Sequence, residues 1–166
     1  MTSNAGDGRE LPAGEYWYED IEPGDGFATG SVVVTNAQIA AFADLSGDHF
    51  EVHTSDEFAR AQGFPSRIAH GLLVLSLIDG LKNNASVKLM AVASLGWDWR
   101  FKAAVVAGDE ISARLRVVAK RLSSKGQGIV TLSLSATKQG GHIVQEGETT
   151  LILRRRAVAQ GGGGAK

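Results

Sequence analysis

Two short segments carry an acid, a base and a helix start that could stabilise an anion. Ser46-Gly47-Asp48-His49-Phe50-Glu51-Val52-His53 sets a carboxylate and an imidazole five residues apart on a loop that opens at glycine. If that loop curls, Asp48 and His53 converge on one water or one substrate carbon, as general acid–base catalysis requires. Arg67-Ile68-Ala69-His70-Gly71-Leu72 follows and leads into Leu72, Leu73, Leu75, Leu77, Ile78 and Leu81. A helix opening at His70-Gly71 leaves its first backbone N–H groups unpaired and the positive end of its dipole outward, so an oxygen placed there is polarised. Each residue also has a plainer reading. Asp48 after Gly47 can be a turn aspartate bonded to nearby amides, and His53 can be a ring packed on Phe50. His70 is read as holding loop geometry by hydrogen bonding, and His49 as an exposed loop residue.

The elements around these segments follow from hydrophobic period and capping signals. Phe27 to Val34 reads as a strand, and Thr35-Asn36-Ala37-Gln38 has capping-box spacing, so a short helix should carry Ile39, Phe42 and Ala43 as far as Ser46-Gly47. Thr54-Ser55-Asp56-Glu57 repeats the capping signature, with Gly63 and Pro65 closing a second short helix. The two helices bracket the 46–53 loop. From Ile68 to about Lys82 the chain is apolar on nearly every face, which predicts a central helix enclosed by other structure. Beyond residue 86 the period becomes two, through Val87-Leu89-Ala91, Trp97-Trp99-Phe101, Ile111-Leu115-Val117, Val130-Leu132-Leu134 and Leu151-Leu153. Glycines at 126–128 and 140–141 supply the turns between long antiparallel neighbours. The order predicts an α+β fold, a curved antiparallel sheet wrapped around one helix. One sheet face cannot cover a helix that is apolar all round, so a second copy of the chain is expected on the other side, giving a homodimer.

Composition narrows the function. The 166 residues, 43% apolar, suffice for one well-packed domain. With 17 basic and 18 acidic residues the net charge is −1, which gives no global attraction to nucleic acid or to an anionic membrane. No cysteine is present, so thiolate nucleophiles, thiolate metal ligands and disulfides are excluded, and a reducing, cytoplasmic setting fits. Residues 1–14 lack the apolar stretch of a signal peptide. The run Gly71–Leu81 is far below the ~20 residues of a membrane span. The expected organisation is a flexible lead over 1–14, one domain over 15–157 and a flexible Gly-rich tail over 158–166. Trp97, Trp99 and Phe101 read as a packed strand face in preference to a tunnel lining, and Arg154-Arg155-Arg156 as solvated charge.

Over roughly residues 20 to 155 the chain resembles the MaoC-like family of hot-dog-fold hydratases, whose best-known members are (R)-specific enoyl-CoA hydratases. The resemblance is carried by Ser46-Gly47-Asp48, His53, Phe58, Phe64, Ile68-Ala69-His70-Gly71-Leu72 and the later segment Trp99 to Glu110. Phe50 and Glu51 stand where the family usually has Asn and Pro. The resemblance implies a hydro-lyase of fatty acid metabolism that adds water reversibly to a trans-2-enoyl-CoA, with an acyl-CoA substrate, no cofactor and no metal. Asp48 and His53 would be catalytic, activating water and protonating Cα, and the Gly71 N–H would take the thioester oxygen. Phe50, Phe64, His70 and Asp79 would contact or support the substrate, Asp79 standing where family members often carry a small polar residue beside the catalytic aspartate. Two alternatives remain open, a hot-dog acyl-CoA thioesterase and a non-catalytic acyl-binding partner subunit.

Overall fold

The structure is a computed structural model that describes residues 8–156. Its elements run β1 (Gly14–Tyr16), β2 (Gly26–Val33), α1 (Asn36–Ser46), α2 (Glu51–Thr54), α3 (Asp56–Ala61), α4 (Gly71–Asn83), β3 (Val87–Leu89), β4 (Ala91–Phe101), β5 (Glu110–Leu122), β6 (Gly128–Lys138) and β7 (His142–Leu153). Five strands form an antiparallel sheet in the order β2-β5-β6-β7-β4, while β1 and β3 pair in parallel as a small separate sheet. Helix α4 lies across β2 and β5 and buries Leu73, Val74 and Ile78 in the same core as Ile111, Leu115 and Leu132. Each such side chain taken out of water contributes about 1.5–3 kcal/mol, so this contact anchors the helix.

Local chemistry explains most boundaries. Thr35 Oγ1 accepts from the Gln38 N–H (3.2 Å) while the Gln38 side chain accepts from the Thr35 N–H (2.8 Å), the reciprocal cap expected from the spacing. Gly47 ends α1 at φ 76°, a left-handed value that glycine adopts without penalty, and donates its N–H to Ala43 O. The 46–53 segment, expected to be loop throughout, winds Glu51–Thr54 into one helical turn. Ser55, not Thr54, caps the next helix, its Oγ accepting from Phe58 N–H (3.1 Å). Helix α4 starts at Gly71 instead of Ile68, because Ile68 is bridged to Val106 and the Ala69 N–H is taken by Val105 O (2.7 Å).

Within the single chain only one face of α4 is buried, since Leu72 is 59% exposed on the side that the sheet does not reach, the side on which a second copy is expected. Two further expectations are corrected. The packed chain begins ahead of residue 15, where the flexible lead was expected to end: Leu11 is buried, its N–H donates to Gly26 O (2.8 Å), and Arg9 pairs with Asp25 (3.1 Å). Residues 1–7 and the Gly-rich tail over 158–166 lie outside the described residues. Finally, Arg155 and Arg156 are not simply solvated, because they pair with Glu19 (2.9 Å) and Asp20 (2.8 Å) and tie the end of β7 to the turn after β1. No helix among the described residues is long and apolar enough to cross a membrane.

Candidate active site

Beyond Gly47 the chain makes a tight turn in which Asp48 Oδ1 accepts from the Phe50 N–H (3.2 Å) and the Asp48 N–H donates to Ser46 Oγ (3.2 Å). The turn role of Asp48 is therefore real, and it occupies one carboxylate oxygen. It also positions His53, which the helical turn α2 swings back toward α4. His53 Nδ1 stands 2.8 Å from Ile68 O. A carbonyl only accepts, so Nδ1 carries a proton and Nε2 is left to exchange one.

His70 is 3% exposed and donates from Nε2 to the Asp48 carbonyl (2.9 Å), fastening the Asp48 turn to the start of α4. Its Nδ1 is buried without a partner. The His53 and His70 rings stack at 3.8 Å between centroids and 25° from parallel, and Phe42 packs tilted against His70 at 5.0 Å. Asp48, His53 and His70 each bring a donor atom within 4.8 Å of the others. That set resembles a metal-ligand group by residue type. Imidazole lone pairs lie in the ring plane, however, and rings stacked this way aim theirs along nearly parallel lines, not at one ion about 2.0–2.1 Å from both.

Helix α4 differs from α1 and α3 at its start. Thr35 and Ser55 cap those helices, whereas no side chain caps α4. The first N–H to close a helical bond is that of Val74, onto His70 O (3.1 Å), so the N–H groups of Gly71, Leu72 and Leu73 precede the ladder. The Gly71 carbonyl also accepts from Gln145 Nε2 (2.9 Å), and Gln145 Oε1 accepts from Trp99 Nε1 (2.8 Å). A Cβ at Gly71 would meet the Phe101 ring at 2.7 Å. Glycine thus lets the tip of a protein ring approach the helix start, a contact that the sequence did not supply. A groove of about 290 Å³ opens in front of the helix start, with His53, Phe64, Ile68, Gly71, Phe101 and Gln145 in its wall.

The structure thus brings together Asp48, His53, His70 and Gly71, with Phe64 in the groove. Phe50 is 60% exposed and stands edge-on to His53 (6.3 Å) and Phe58 (6.0 Å), beside the groove instead of in its wall. Asp79 is not brought to Asp48. It lies two turns along α4, where Lys82 Nζ approaches its Oδ1 to 2.6 Å without hydrogen-bond alignment. Trp97 and Trp99 pack edge to face (5.4 Å) against the core. Sequence reasoning missed Gln145, because one polar residue in a period-two strand reads as solvent-facing. A larger depression of about 540 Å³ lies on the outer sheet face among Arg114, Arg116, Glu146 and Glu148, with no imidazole or helix start in its wall.

A family model described as "MaoC like domain" matches residues 20–139. The chain belongs to the MaoC-like domain family. It is 35% identical over 117 residues to the (R)-specific enoyl-CoA hydratase of Aeromonas caviae, across 70% of this chain and 84% of that one. It is 39% identical over 113 residues to Protein MaoC of Klebsiella aerogenes, across 67% of this chain, but it spans only 32% of that longer relative. Among solved structures, the MaoC-like dehydratase from Rhodospirillum rubrum matches with a TM-score of 0.79 at 25% identity, over 86% of this chain and 99% of that one. The fold of this MaoC-like domain is the hot-dog fold, so the expected family and the expected sheet around a central helix both hold. Its family is one of hydratases and dehydratases.

Proposed function

We propose that this MaoC-like domain is a hydro-lyase that reversibly hydrates a trans-2-enoyl-CoA to the (R)-3-hydroxyacyl-CoA. The observation that carries this reading is that an imidazole with Nε2 available and an uncapped helix start share one groove wall, with the Asp48 carboxylate within 4.8 Å of that imidazole. Asp48 takes a proton from water as the water oxygen bonds to Cβ. His53, cationic at that moment with Nδ1–H held by Ile68 O, gives its Nε2 proton to Cα. The carbon–carbon double bond opens through an enolate-like thioester, whose oxygen the Gly71 N–H receives as its charge develops. Proton return from Asp48 to His53 closes the cycle. His70 holds the Asp48 turn, Phe64 and Phe50 flank the acyl group, and the relatives named for enoyl-CoA hydration and for 3-hydroxyacyl-thioester dehydration represent the two directions of this chemistry.

A homodimer fits the same reading. Among the described strands β4 pairs only with β7, and this 11-residue edge exposes Val92 (62%) and Leu95 (56%), with Leu72 exposed on α4. A long apolar edge invites pairing with another chain, and a second copy about a two-fold axis closes it. Light scattering should give about twice the 17.5 kDa chain mass.

The deciding experiment follows enoyl absorbance with crotonyl-CoA and a medium-chain enoyl-CoA, beside free-thiol release. Hydration without thiol release is expected, reduced about 10²–10⁴-fold in each of Asp48→Asn and His53→Ala. Thiol release would make the protein a thioesterase. Loss of neither enoyl nor thioester would make it an acyl-binding subunit.

A further inference from the structure

Gln145 is a buried amide between the apolar core and the wall of the groove. It is 2% exposed on β7, follows fully buried Val144 and stands opposite Ala136 on β6 and Phe101 on β4. Burying an amide costs free energy unless its groups are bonded, and an apolar side chain of the same length would fit a core strand without that cost. Both ends of this amide are engaged, Nε2 by Gly71 O (2.9 Å) and Oε1 by Trp99 Nε1 (2.8 Å). The Gly71 carbonyl does not need this donor to escape being orphaned, since a helix supplies an N–H four residues on. What the amide adds is direction.

Direction is what this helix start lacks. No side chain caps α4, its N-cap residue His70 spends its ring nitrogen on Asp48 O, and its first residue is glycine, the residue with the widest backbone freedom. A Ser or Thr cap would fix the turn but would also occupy an N–H that a substrate oxygen needs. Gln145 fixes it from behind, through the carbonyl, and leaves the N–H side open toward the groove whose wall it shares.

We propose that Gln145, backed by Trp99, is a positioning residue that sets the aim of the Gly71 N–H at the thioester oxygen; this rests on the hydratase reading above. Trp99 fixes the amide's orientation by taking Oε1, so Nε2 must face Gly71. The pair acts on the transition state, in which the oxygen carries most charge, more than on ground-state binding.

The test uses the full chain and two readouts. Steady-state hydration of crotonyl-CoA gives kcat and KM, and the absorbance of bound 2,4-hexadienoyl-CoA, whose conjugated system shifts to longer wavelength when its carbonyl is polarised, reports the helix start directly. Gln145→Leu should lower kcat about 10–100-fold with KM changed less than about threefold, and should shrink the red shift. Trp99→Phe, which removes the indole N–H donor and keeps an aromatic ring of smaller volume, should lower kcat about threefold to tenfold, and adding it to Gln145→Leu should cost little more. A folded Gln145→Leu with wild-type kcat and full red shift would overturn the proposal, as would a raised KM at unchanged kcat. Should Gln145→Leu fail to fold, Trp99→Phe decides by the same criteria. If the wild type hydrates no enoyl thioester, the hydratase reading fails separately, and a red shift lost in Gln145→Leu still supports the positioning role while an unchanged or absent one overturns it.

Discussion

The two ends of α4 treat polar groups in opposite ways. At its start His70 Nδ1 is buried without a partner, no side chain caps the helix, and the carboxylate of Asp48 gathers with two imidazoles. Toward its end charge is matched: Lys82 stands 2.6 Å from Asp79 and 5.4 Å over the Trp97 ring, and the Asn84 N–H and side-chain amide both donate to Gly80 O. Both ends share one helix and one core, so burial alone does not decide which polar groups stay unpaired. Each end buries one side-chain atom without a hydrogen-bond partner, His70 Nδ1 at the start and Asp79 Oδ1 toward the end, but only Asp79 has an opposite charge beside it.

Of the substitutions that separate the two ends, Gly71→Ala should give the largest effect on turnover, from the smallest chemical change. Alanine favours a helix over glycine by about 0.8–1.0 kcal/mol, but its Cβ would meet the tip of the Phe101 ring. Phe101 is 59% exposed and can swing outward, into the groove that both residues line. Stability should stay within about 1 kcal/mol of wild type, while kcat falls about 10–100-fold as the displaced ring and turn disturb the oxyanion position. Thermal melts and crotonyl-CoA kinetics on the same sample check it. Equal losses in stability and activity would show that the two ends of α4 do not differ in kind.

Asp79→Asn tests the matched end and should show the reverse pattern. Lys82 is 9% exposed and would lose its counter-charge, yet the Asp79 side chain is 40% exposed, so water already screens part of the pair. A loss of about 1–2 kcal/mol in urea unfolding is expected, with kcat within about twofold. Lys82→Met, which keeps the packing on Trp97, should recover most of that stability in the Asp79→Asn background. A large drop in kcat with stability intact would move Asp79 to the reactive end.

The unequal legibility of the two ends has a physical cause. The Asp48, His53, His70 and Gly71 constellation could be read in the sequence because its members are few, close along the chain and set in strong local signals: a glycine that ends one helix and an apolar run that opens another. The strands β4 to β7 were visible as a period of two, and Thr35 as a cap. Asp79 was misplaced because a helix position says which turn a residue is on but not which neighbour answers it, and Lys82, three residues on, lay close enough to do so. Gln145 and Trp99 were invisible for the opposite reason. They lie 74 and 28 residues from Gly71 in the chain and meet it only through the register of β7 with β4, in which Gln145 faces Phe101. Pairing across a sheet carries no local signature.

Asp109 extends the comparison to a carboxylate that lies on neither end of the helix. It closes the Gly108 turn between β4 and β5, accepting from the Val106 N–H (3.0 Å), from the Gln139 amide and from Lys138 (3.1 Å). Burial pushes its carboxyl up, but those donors and the lysine charge outweigh it, and the group is held below the ordinary aspartate value. A depressed carboxyl adds stability that is fully present above its unfolded-state value, about 3.9, and is lost as pH falls through the lower folded-state value. Asp109→Asn should therefore lower Tm at pH 7 by about 2–4 °C, the shift for roughly 1 kcal/mol in a chain of this size. The gap to wild type should begin to narrow below about pH 4, as the unfolded-state carboxyl takes up its proton, and go on narrowing as pH falls through the lower folded-state value. Crotonyl-CoA turnover at pH 7 should hold, because neither Asp109 nor the residues that donate to it, Val106, Lys138 and Gln139, line the groove. A gap that stays constant from pH 7 to pH 3 would mean that Asp109 works through turn geometry alone, and the comparison of paired with unpaired carboxylates would then have to rest on Asp48 and Asp79.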